Sequence, residues 1–189
     1  EAILLMKVKH AVLTSVDRDE LADGGSIIWY NTIKAIKALT PSTTLETLIP
    51  DFRGIQEQIN RIIEAAPEVV SHNMETVERI TQKVRVQAKY RRSLGVLETL
   101  KKGGMRTKTG IMLGIGEHKE EVIQTMKDLV SVGTDVLTLG QYLQPTKKHL
   151  AVQRFVHPDE FAELRQIGYE LGFDYVESGP LVRSSYHSE

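Results

Sequence analysis

Five clusters of polar, potentially reactive side chains punctuate this sequence, each just after a short apolar run. Asp17-Arg18-Asp19 and Asp23-Gly24-Gly25 follow the first run, and Pro50-Asp51-Phe52-Arg53-Gly54 follows the second. His72-Asn73-Met74-Glu75-Thr76 follows the third, Gly114-Ile115-Gly116-Glu117 the fourth and Gly140-Gln141-Tyr142-Leu143-Gln144-Pro145-Thr146 the fifth. Asp17, Asp51, Glu75 and Glu117 have the chemistry for general acid–base work. Gly114-x-Gly116 is a weak phosphate-loop signal, because no third glycine or P-loop lysine follows it. His72 is a lone histidine, and one histidine makes no metal site.

Each cluster also has a structural use. Asp17-Arg18-Asp19 fits a surface ion pair worth under about 1 kcal/mol. Gly24-Gly25 fits a turn before a helix that starts near Ser26, and Asn73 and Glu75 fit a helix cap and first-turn acid. Their shared position after every apolar run is what points to a ligand site. The 189 residues include no cysteine, which excludes disulfides and thiolate metal sites built from this stretch.

The elements that must position these clusters read as strands alternating with helices. The runs at 10–16 (HAVLTSV), 45–50 (LETLIP), 69–73 (VVSHN), 109–113 (TGIML) and 136–142 (VLTLGQY) are β-branched and too short for helices. Between them, Ile55, Ile59, Ile62 and Ile63 form a helical stripe that Pro67 stops. Val122, Ile123, Met126, Leu129 and Val130 form a second, with Glu120 and Glu121 in its first turn and Gly133 past its end. Phe161, Leu164, Ile167 and Leu171 form a third, opened by Pro158 and closed by Gly172. The basic stretch 76–102 holds two helices around Arg91-Arg92. Such alternation predicts parallel strands with right-handed crossovers, in a doubly wound sheet or part of a βα barrel. In both, ligands bind beyond the carboxyl ends of the strands, where the five clusters fall. No linker or composition break divides residues 1–189, which read as one domain.

Bulk properties narrow the class. The chain is 41% hydrophobic and 26% charged, as in globular proteins. Its net charge of −1 gives no general attraction to nucleic acid or to an anionic membrane. No apolar run approaches the roughly 18 residues that span a bilayer. The chain begins with Glu1 inside an apolar pattern, so an upstream portion is expected.

Read together, several strings resemble the lipoyl synthase family of radical S-adenosylmethionine enzymes. They are LTSVDRDELADGG at 13–25, LIPDFRG at 48–54, SHNMETV at 71–77, TKTGIMLGIGE at 107–117, TLGQYLQPT at 138–146 and GPLVRSSYH at 179–187. The resemblance implies an α/β fold, a partial (βα)6 TIM-like barrel whose first strand lies upstream, with residues 174–189 a tail closing over the cluster site. It implies S-adenosylmethionine and two [4Fe–4S] clusters, one radical-generating and one auxiliary. It further implies insertion of two sulfur atoms at C6 and C8 of a protein-bound octanoyl group, begun by a 5′-deoxyadenosyl radical. The implied partners are a reducing electron donor and an octanoylated lipoyl carrier protein, either a lipoyl domain or the glycine cleavage H protein. Bacterial cytoplasm is the expected compartment, with mitochondrion or plastid as alternatives.

Carried over by position, Ser185 matches the family's serine ligand to the auxiliary cluster. Gly24 and Gly25 fall where the methionine amino and carboxylate groups are approached. Gly114 and Gly116 lie in the adenine-contacting segment, while Asn73 and Glu75 are suited to the ribose or methionine moiety. Asp17, Arg18 and Gln141 complete the expected cofactor-binding set, and Arg18 and Arg183 are suited to pair with a carboxylate or to steady the clusters. The family's cluster-binding cysteines are absent from this stretch, so catalysis by these residues alone is not expected. Two other readings compete: a cysteine-free binding protein for S-adenosylmethionine or the carrier, and an acid–base barrel enzyme. The cations Lys83, Arg85, Lys89, Arg91, Arg92, Lys101, Lys102, Arg106 and Lys108 form either a carrier-docking face or a solvated helix face.

Overall fold

A computed structural model describes residues 1–87 and 89–185. The chain runs α1 (Ala2–Met6), β1 (His10–Thr14), α2 (Ser26–Leu39), β2 (Thr44–Leu48), α3 (Gln56–Ala65) and β3 (Val69–Ser71). It continues through α4 (Thr81–Val84), α5 (Tyr90–Lys102), β4 (Arg106–Leu113), α6 (Lys119–Ser131), β5 (Val136–Gln141), α7 (Pro158–Leu171) and β6 (Tyr175–Gly179). The six strands form one sheet in sequential order, every neighbouring pair parallel.

Local sequence explains where the helices start and stop. Pro158 opens α7, where its fixed φ suits the first turn. Gly172 closes α7 at φ 111°, a left-handed conformation that favours glycine. Glu121 reaches back to accept from His118 N at 2.8 Å, stapling the start of α6.

The two faces of the sheet differ in chemistry, because side chains alternate along each strand. One face presents Leu45, Val70, Ile111, Leu113, Leu137, Leu139 and Val176 to the helices. There they pack against Trp29, Ile33, Ile59 and Ile62 in one cluster, and Leu97, Met126, Phe161 and Leu164 in the other. The opposite face presents Glu46, Ser71, Lys108 and Thr138. Core on one side and polar residues on the other is the layering of a partial βα barrel, with the polar face turned to the lumen. A doubly wound sheet would bury apolar residues on both faces.

Three expectations from the sequence are corrected here. Residues 175–179, expected within a tail, form a sixth strand paired with β5 along Val136–Gly140. Lys108, counted among the docking cations, lies inside β4 and is 1% exposed. The basic stretch does divide into two helices, but α4 is a single turn, and Arg91 and Arg92 fall in the first turn of α5. Both arginines are engaged within the chain: Arg91 with Glu78 at 2.9 and 3.0 Å, and Arg92 with Asp51 at 3.1 Å.

Candidate functional site

Four of the five polar clusters at the carboxyl ends of the strands line three hollows, and the cluster at 114–117 lines none of these. The first, of about 280 Å³, lies over β3, β4 and β5 and brings Asn73, Glu75 and Gln141 together with Gly110, Thr138 and Arg183. The second, of about 230 Å³, lies beside β1 and takes Arg18, Gly24 and Gly25 with Leu13, Ile28 and Trp29. The third, of about 590 Å³, joins Asp17, Asp19 and Asp51 to Arg53, Arg85 and Arg92.

The first hollow exists because of what two luminal positions lack. A methyl group at Gly110 would stand 2.9 Å from Thr138 Oγ1 and 3.1 Å from Asn73 Oδ1. A methyl at Gly140 would strike the Val182 carbonyl at 2.4 Å, so glycine there lets the chain after β6 cross the end of β5. That crossing brings Val182, Arg183 and Ser184 onto the rim. Asn73 Oδ1 is buried without a hydrogen-bond partner. A buried acceptor left unpaired costs roughly 1–3 kcal/mol and asks for a donor.

Glu75 sits beside it in a left-handed conformation at φ 65°, which a non-glycine residue adopts only under constraint. The constraint is visible: Glu75 N donates to Gly110 O at 3.0 Å, and Met112 N donates to Glu75 O at 2.9 Å. Burial raises the Glu75 carboxyl above its ordinary range, opposed by the Asn73 amide and the Arg85 guanidinium. Arg85 Nη1 donates to the Asn73 carbonyl at 2.8 Å, fixing the chain just before Glu75.

His72 turns the other way, into the helix-facing core. Its Nδ1 donates to Ile49 O at 3.0 Å, so its Nε2 accepts from Ser93 Oγ at 2.9 Å. Burial drops its pKa to about 4, so it stays neutral and structural.

Gly24 and Gly25 have φ 58° and 82° and form the turn into α2. Asp23 secures that turn by accepting from Ile27 N at 2.8 Å and Gly25 N at 3.2 Å; the first of these bonds chiefly lowers its pKa. Gly114 and Gly116 line none of the three hollows. The buried Glu117 carboxylate instead accepts from Gly114 N, Ile115 N and Gly116 N at 2.7, 2.9 and 3.1 Å. Those amides are spent within the loop, which the bare Gly-x-Gly spacing did not reveal. Gln141 borders the first hollow, yet its amide bonds to Tyr142 O, Arg154 O and Val156 N, so it positions the following segment. Ser185 lies in the exposed turn just beyond Ser184.

Sequence reasoning missed the luminal trio Glu46, Ser71 and Lys108. Lys108 Nζ stands 3.0 Å from Glu46 Oε2, and Ser71 Oγ donates to Glu46 Oε1, all three about 1% exposed. A glutamate among the apolar residues of run 45–50 was the available signal.

Among the described residues, no group of three or more His, Cys, Asp or Glu side chains could hold a metal ion. With no cysteine anywhere in the sequence, these residues supply no thiolate for an iron–sulfur cluster. No helix among the described residues is long and apolar enough to cross a membrane.

Comparison with known proteins agrees with this architecture. The sequence model of the Radical SAM superfamily matches residues 1–129. The lipoyl synthase of Flavobacterium johnsoniae is 64% identical over all 189 residues, which span 66% of that protein. The mitochondrial lipoyl synthase of Nematostella vectensis is 62% identical over the same residues, which span 65% of it. Among solved structures, HydG, a maturase of the [FeFe]-hydrogenase, superposes with a TM-score of 0.69 at 13% identity, covering 93% of this chain and 47% of that one. That last likeness speaks for the fold alone. The chain spans just under two thirds of the length of the first two relatives, and it belongs to the Radical SAM superfamily and, within it, to the lipoyl synthase family.

Proposed function

We propose that this chain is the barrel wall of a lipoyl synthase, which inserts two sulfur atoms at C6 and C8 of a protein-bound octanoyl group. The observation that carries the reading is the identity of 64% and 62% to lipoyl synthases across every residue. The first hollow suits S-adenosylmethionine: it offers the orphaned Asn73 Oδ1 as an acceptor, a floor without side chain at Gly110, and Arg183 on its rim. Asn73 and Glu75 would hold the ribose or methionine moiety, and the Gly24-Gly25 turn with Arg18 the amino-acid end. When bound and reductively activated, S-adenosylmethionine supplies the power to remove hydrogen from an unactivated carbon. The chain's own work is to orient that group against the acyl chain and to keep water out.

The iron–sulfur clusters are a different case. Ser185 is the one ligand we assign to this chain, for the auxiliary cluster, and the thiolates must come from elsewhere in the complete enzyme. The 189 residues alone would then bind without turning over. The partners are an octanoylated carrier, either a lipoyl domain or the glycine cleavage H protein, and an electron donor. Relatives from a bacterium and a mitochondrion support either compartment.

The test is anaerobic incubation of the complete, cluster-reconstituted enzyme with S-adenosylmethionine, reductant and octanoylated carrier, read by intact-protein mass spectrometry. A carrier that gains two sulfur atoms supports the reading. Cleavage of S-adenosylmethionine with no mass change in the carrier would sink it.

A further inference from the structure

The link from β5 to α7 is the longest strand-to-helix connection in the fold, and residues 142–157 contain neither helix nor strand. Connections of this length without regular structure are uncommon in compact domains and are usually functional. This one is also held fast. Gln141 Nε2 donates to Arg154 O at 3.1 Å, Val156 N donates to Gln141 Oε1 at 2.9 Å, and Gln153 N donates to Gly114 O at 2.8 Å. Within the link, Tyr142 Oη donates to Leu150 O at 2.9 Å and Gln144 Nε2 to His149 O at 2.8 Å. Arg154 reaches Glu160 through two bonds of 2.7 Å.

What this strap displays is unusual for ordered backbone. Phe155 is 76% exposed, and Leu143 is 50% exposed while also lining the first hollow. Lys147 and Lys148 are exposed at its tip and make no ion pair among the described residues. The cations first expected to dock a partner, Arg91 and Arg92, are by contrast already paired.

We propose that the strap is the docking surface for the folded carrier domain, which it engages through acidic residues flanking the octanoylated lysine. This rests on the function proposed above and adds the face through which the substrate arrives. An acyl group borne on a lysine reaches the hollow only as far as that side chain extends, so the carrier's own surface must abut the rim. Leu143 joins rim and strap, Phe155 is the type of aromatic side chain that anchors interfaces, and the two free ammonium groups select carboxylates.

The test compares the unsubstituted complete enzyme with K147E/K148E and Phe155→Ser variants. Binding of a fluorescently labelled, octanoylated carrier domain and of a short octanoyl-lysine peptide is titrated at low and high salt. The expected result is that charge reversal weakens domain binding about tenfold at low salt and flattens its salt dependence. Phe155→Ser weakens domain binding at both salt concentrations, and peptide affinity is unchanged in both variants. Unchanged domain affinity overturns the proposal, as does an equal loss for domain and peptide. If the unsubstituted enzyme binds the domain but adds no sulfur, the functional reading fails while the binding comparison still decides the docking face.

Discussion

Lys108 of β4 reaches across β3 to Glu46 of β2, forming a 3.0 Å ion pair inside the barrel between residues 62 apart in sequence. The pair lies one luminal layer below Asn73 and Gly110, on the floor beneath the first hollow. Burial pulls the Lys108 pKa down while Glu46 holds it up, and burial is the larger effect. Taking both charges out of water is expensive, so the pair is expected to specify strand register more than it stabilises the fold.

Breaking that pair has an asymmetric consequence. Lys108→Met leaves Glu46 buried without its cation and is expected to cost about 3–5 kcal/mol in chemical denaturation. The double variant Glu46→Leu/Lys108→Met should recover most of that loss. A double variant no more stable than the single one would show that the charges themselves hold the sheet.

Acid should weaken the fold through His72. Unfolded, its imidazole titrates near 6.5; folded, near 4. Between those values the unfolded state binds the extra proton, so stability falls as pH drops from about 6.5 toward 4, by about 3 kcal/mol over the window. Urea midpoints measured across that range, with His72→Gln removing most of the dependence, check it. An unaltered pH profile in the variant would assign the acid sensitivity to other groups.

Gly110→Ala should separate binding from folding. The added methyl meets Thr138 Oγ1 and Asn73 Oδ1 in the first hollow, an overpacking penalty of about 1–3 kcal/mol. Affinity for S-adenosylmethionine, read by calorimetry, is expected to fall at least about tenfold while circular dichroism at room temperature is preserved. Native affinity would place the ligand outside this hollow.

Ser185→Ala in the complete enzyme should spare S-adenosylmethionine cleavage and impair lipoyl formation. If Ser185 is the ligand proposed above, the iron–sulfur absorption should change with it, because an oxygen ligand would be lost. Unimpaired sulfur insertion with an unaltered spectrum would remove Ser185 from the ligand set.

The alternation of apolar runs and helical stripes determined by itself that the strands are parallel and that the polar clusters share one end. A βα unit places its loop at the strand's carboxyl end through local spacing alone. Five of the six strands were legible for that reason. The sixth, Tyr-Val-Glu-Ser-Gly at 175–179, has a single aliphatic residue and is defined by its pairing with β5. The structure also decided which polar residues meet. Asn73 comes from the segment after β3, Gly110 from β4 and Thr138 from β5, and Lys108 reads as one more cation in a basic run until its register places it on the luminal face. Gly114 and Gly116 looked like an open loop until Glu117 took their amides. Periodicity reports which way a residue turns relative to its neighbours, but contacts between distant residues depend on register and sheet curvature, which only the packed chain supplies.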